Sequence, residues 1–91
     1  MDIFKMFNKE FYLNKIQSEI DELVKEVSDL CLQAAEESAN IIKVRNTIPE
    51  VEYEKLKRKR AKITGKIRTK QRKLKRLRED YERYKSMDIW L

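Results

Sequence analysis

Ninety-one residues bound the chain to one small domain. Charged residues make up 42% and aromatics 9%, with one Gly, one Pro and a formal charge of +6; that balance belongs to long helices or a coiled coil. The lack of His and the single Cys exclude an internal disulfide, a thiolate metal site and the commonest general base, and no apolar run reaches membrane-spanning length.

The net charge conceals a strong asymmetry. Residues 1–46 carry nine acidic and six basic groups, and residues 47–54 add three acids. Residues 55–78 hold fourteen Lys or Arg and no acid, and residues 79–91 return a net of −2. Such a chain is a dipolar object with one intensely basic segment.

Residues 1–8 are apolar but irregular, with Ile3, Phe4, Met6 and Phe7. The stretch is broken by charges and has no small-residue cleavage site, so a signal peptide is not expected and a cytoplasmic protein is. Asn8 is a candidate cap for a helix starting near residue 9.

From Leu13 a three–four alternation runs through Ile16, Ile20, Leu23, Val27, Leu30, Ala34, Glu37, Ile41 and Val44. That is the seam of a coiled coil on a first helix spanning about 9–45. Val24, Cys31, Ala35 and Ile42 lie beside the seam and widen the stripe beyond what one partner helix covers. The width predicts self-association.

The segment Arg45-Asn46-Thr47-Ile48-Pro49 is the break, with its turn at 46–48. Thr47 and Glu50 have the spacing of a capping box, and Pro49 suits a first helical turn, where its missing amide costs nothing.

The second helix is expected over about 49–86, with heptad positions Tyr53, Leu56, Arg60, Ile63, Ile67, Lys70, Leu74, Leu77, Tyr81, Tyr84, Asp88 and Leu91. A short loop between long helices makes them antiparallel neighbours. The register that best matches polar members sets Glu37 against Arg60, Ala34 against Ile63, Leu23 against Leu74 and Lys9 against Asp88. Val27 against Lys70 is its one mismatch, relieved if the lysine lays its methylenes on the seam. Glu37 and Arg60 then form a structural polar pair that fixes register. Glu19 and Glu26 are expected to face Lys66 and Lys73. Gly65 within the helix points to a close backbone contact or a bend.

Both termini meet at the open end of the hairpin, where most aromatics gather. Phe4, Phe7, Phe11 and Trp90, with the side stripe of Val24, Cys31, Ala35 and Ile42, are the protein-interface candidates, because aromatic and apolar side chains populate interface cores.

No catalytic constellation is present. There is no Gly-rich phosphate cradle and no nucleophile with a base, and adjacent acids such as Asp21–Glu22 diverge on a helix. No cofactor, metal or small-molecule substrate is expected.

The basic run remains. Outside the seam it offers Lys55, Lys57, Arg58, Lys59, Lys62, Lys66, Arg68, Arg72, Lys73, Lys75, Arg76 and Arg78, along about 36 Å of helix. A solvated coiled-coil surface normally interleaves both signs; an acid-free run this long points to a polyanion. Phosphate contacts with counterion release fit it, and the absence of aromatics within 55–78 argues against base stacking. An anionic membrane is disfavoured, since the helix spends its apolar stripe on the seam.

The sequence thus predicts an all-α antiparallel coiled-coil hairpin, dimerised into a four-helix bundle. The expected function is non-enzymatic binding of nucleic acid or a nucleoprotein. The alternatives are a regulator or inhibitor that docks an acidic or nucleic-acid-binding protein surface, and a structural assembly subunit.

Overall fold

The computed structural model describes residues 2–87, with side chains from residue 8 onward. The chain forms two helices, α1 (Asp2–Val44) and α2 (Glu50–Ser86), folded back as a hairpin. The rod measures 69 × 14 × 13 Å. No helix is long and apolar enough to cross a membrane among the described residues. Lys, Glu and Leu recur in both helices and Arg in α2, and each is a strong helix former.

The seam is where the periodicity places it. Ile20, Leu23, Ala34, Ile63 and Leu74 are buried, and the remaining seam members between Leu13 and Tyr84 are half-buried. Ile16, Leu77 and Tyr81 pack around the Ile20–Leu23–Leu74 cluster. Cross-helix bonds bracket the register. Arg60 reaches Ser38, Lys59 reaches Glu37 and Lys70 reaches Glu26, one residue to either side of the pairing that opposes Ala34 to Ile63 and Leu23 to Leu74. Each buried Leu or Ile contributes about 1.5–3 kcal/mol. Among the described residues, however, no side chain is completely shielded from solvent. Two helices make a contact line, with little interior.

Three local expectations are corrected. First, α1 starts at Asp2 and not near residue 9, so Asn8 lies inside a continuous helix and caps nothing. Second, the Thr47–Glu50 capping box does not form. The Thr47 hydroxyl and amide both donate to the Val44 carbonyl, at 3.0 and 2.9 Å, and so close α1 without opening α2. Pro49 itself is the N-cap, extended at φ −60° and ψ 149°, and its carbonyl accepts from the Tyr53 amide at 3.1 Å. That is the first bond of the helix ladder, and no side chain caps the amides of the first turn. Third, α2 continues without interruption through Gly65, and a Cβ there would meet nothing within 4 Å. The hairpin itself makes no close approach at this glycine.

The helix ends carry charge of the sign their dipoles favour. Glu50 and Glu52 lie in the first turn of α2, and Arg83 and Lys85 in its last. At the open end Lys9 Nζ donates to the Met87 carbonyl across 3.4 Å, tying the start of the α1 seam to the end of α2. Asp88, the expected partner of Lys9, lies outside the described residues.

Candidate polyanion-binding face

With the seam turned toward α1, heptad geometry distributes the remaining α2 positions into rows. Lys59, Lys66 and Lys73 form one flank, with Lys55, Lys62 and Arg76 beside it. Arg58 and Arg72 stand on the crest, and Arg68 and Lys75 on its far shoulder. Lys57 and Arg78 border the seam on the opposite flank. All twelve are exposed.

Few of these charges are answered within the hairpin. Lys57 lies 3.5 Å from Glu54 and 5.3 Å from the centre of the Tyr53 ring, and Lys59 lies 3.2 Å from Glu37. The other ten form no ion pair with a described carboxylate. Lys66 and Lys73 are among those ten: Glu26 lines one groove with Lys66, but neither Glu19 nor Glu26 forms an ion pair with these lysines. Glu26 instead takes Lys70, with Nζ to Oε2 at 2.7 Å. Lys70 starts from the seam itself, so its ammonium reaches the first carboxylate beside the partner helix.

Arg60 is half-buried in the seam, as expected, but it does not pair with Glu37. Its Nε donates to Ser38 Oγ at 2.7 Å and its Nη1 to Thr64 Oγ1. Glu37 instead turns to Lys59, whose side chain is 61% exposed. An ion pair at the rim keeps one charge hydrated, whereas pairing within the seam would desolvate both. Neutral hydroxyls then satisfy the guanidinium.

The interface candidates divide into two groups. Val24, Cys31, Ala35 and Ile42 are all exposed, Ile42 to 76%, so the hairpin leaves the side stripe of α1 uncovered. At the open end Phe11 is 61% exposed and meets Tyr12 edge to face at 6.2 Å, while Tyr81 belongs to the core. Phe4 and Phe7 lie where side chains are not described, and Trp90 lies beyond the described residues. Leu32 and Val51 are further exposed apolar side chains that the heptad reading passed over, since both lie far from the seam. A wheel of each helix's outer face would have found them.

Among the described residues, no group of acidic or thiol side chains is placed to hold a metal ion. No family model, curated protein or solved structure matches this chain.

Proposed function

We propose that this protein is a non-enzymatic, cytoplasmic nucleic-acid-binding protein that presents the outer face of α2 to phosphate backbones. One observation carries the reading: ten exposed Lys and Arg side chains of α2 have no ion-pair partner among the described residues. They are held along about 36 Å of one straight element. Such a surface gathers phosphates by displacing condensed counterions, giving strong salt dependence and little base preference. With no aromatic between Lys55 and Arg78, a duplex or folded RNA suits the face better than an unstacked single strand.

The hairpin acts as part of a four-helix bundle made by two copies. In support, the seam alone leaves every described side chain partly wet, and the side stripe of α1 is open.

Fluorescence anisotropy with duplex DNA, duplex RNA and single strands, over a range of salt, tests the proposal. Binding should weaken steeply with salt. Charge reversal at Arg68, Arg72 and Arg76 together should abolish it. No shift of any nucleic acid at low salt would refute it.

A second reading has its own observation. The exposed Phe11 and Tyr12 suit a regulator that docks on another protein, with the basic helix steering the encounter. In that case Phe11→Ala would cost more affinity than any single charge change.

A further inference from the structure

The side stripe of α1 reads the same from both ends. Centred between Cys31 and Ala35, an antiparallel second copy of α1 would set Cys31 against Ala35 and Ser28 against Ser38. Val24 would meet Ile42, and Asp21 would meet Arg45. Apolar and small residues thus oppose their like in the middle, and opposite charges meet at each end. All are exposed except Ser38, which is half-buried.

The corresponding flank of α2 has the same property. About Thr64 as centre, Lys57 falls against Gln71 and Glu50 against Arg78. On the adjoining row, half a residue from that centre, Lys75 falls against Glu54 and Arg68 against Ala61. On these two rows no like charges oppose each other, although the segment holds fourteen cations.

The hairpin register joins these two patterns. Ala34 opposes Ile63, which puts the centre of the α1 stripe at the level of Thr64. Two helices of unrelated sequence therefore specify one two-fold axis. A register shifted by one heptad, with its dyad three to four residues farther along α2, would oppose Lys57 to Arg78 and leave Asp21 facing Ser38.

From this we infer that the protein forms a two-fold antiparallel homodimer through this face. α1 packs on α1 of the second copy, and α2 lies beside the second α2. The inference rests on the four-helix bundle proposed above and supplies its face, orientation and register. Asp21 and Arg78 line one groove beside Tyr81, and the dyad delivers Arg45 and Glu50 of the second copy to it. None of these four charges has an ion pair with a described residue. At each end the dimer adds Arg45 and Glu50 to Asp21, Arg78 and Glu82, which line that groove. Arg68, Lys75 and Arg78 turn toward the second copy, while Lys55, Arg58, Lys62, Arg72 and Arg76 stay outward on both copies and carry the polyanion face.

Arg45 follows the last residue of α1 and lies about 36 Å along its axis from Asp21, so the two can couple only between chains. Analytical ultracentrifugation should show a dimer. Asp21→Arg and Arg45→Asp should each weaken it by roughly tenfold, since reversal turns two attractive rim pairs repulsive, and the double swap should recover most of the loss. In a Cys31→Ser background, Val24→Cys with Ile42→Cys should oxidise to dimers linked 24 to 42, read by peptide mapping. A monomer at all concentrations overturns both the inference and the bundle. A dimer whose 21 and 45 substitutions do not compensate, or one linked 24 to 24 and 42 to 42 or not linked at all, overturns this register and leaves the bundle standing.

Discussion

Lys70 stands in the seam at the level of Val27, yet its ammonium lies 2.7 Å from the Glu26 carboxylate at the rim. The side chain spans two environments, with methylenes on the apolar line and charge beside α1. A cation between Ile67 and Leu74 of the seam is tolerated because the rim, and not the seam, holds its charge. Glu37 is treated likewise through Lys59.

That arrangement limits what the lysine contributes. Both members of the pair are substantially exposed, so the attraction is screened and worth well under about 1 kcal/mol. Lys70→Leu should therefore be neutral or stabilising by up to about 1 kcal/mol in urea denaturation, because an aliphatic side chain completes the row facing Val27. A loss larger than that would show the ion pair to be a net contributor.

Gly65 offers a second measurement. It lies mid-helix, exposed, with open space where a Cβ would go. Gly65→Ala should raise stability by about 0.5–1 kcal/mol by lowering the backbone entropy lost on folding. A clear decrease in the thermal midpoint would mean that something outside the hairpin presses on this position.

Burial separates two aliphatic positions of α2. Leu74 is only 8% exposed and belongs to the central cluster, whereas Val51 faces solvent. Leu74→Ala should cost about 2–5 kcal/mol. Val51→Ala should change stability by no more than about 0.5 kcal/mol. Comparable losses at the two sites in parallel urea titrations would contradict the seam as described.

Salt should act on the free protein in an uncommon direction. Unanswered cations three and four residues apart on α2 repel one another, and ions screen that repulsion. The melting temperature, followed by circular dichroism, should rise between about 0.05 and about 0.5 M sodium chloride, spanning Debye lengths of roughly 14 to 4 Å. A flat or falling trend would mean the run is neutralised within the protein.

Periodicity by itself determined the hairpin. The three–four alternation from Leu13 to Val44 and from Tyr53 to Tyr84 is a property of one chain, and a face shared by successive turns must be buried together. The basic run was equally plain, because charge is additive along a sequence. What the tertiary structure decided was the destination of each polar group. Glu37 goes to Lys59, Arg60 to Ser38 and Thr64, Lys70 to Glu26, and the Thr47 hydroxyl back to Val44. A hydrogen bond or ion pair depends on side-chain reach and on the water each partner gives up, and spacing encodes neither. The level at which α1 meets α2 also needed the folded hairpin. It is that level which brings the centre of the Val24–Ile42 stripe opposite Thr64.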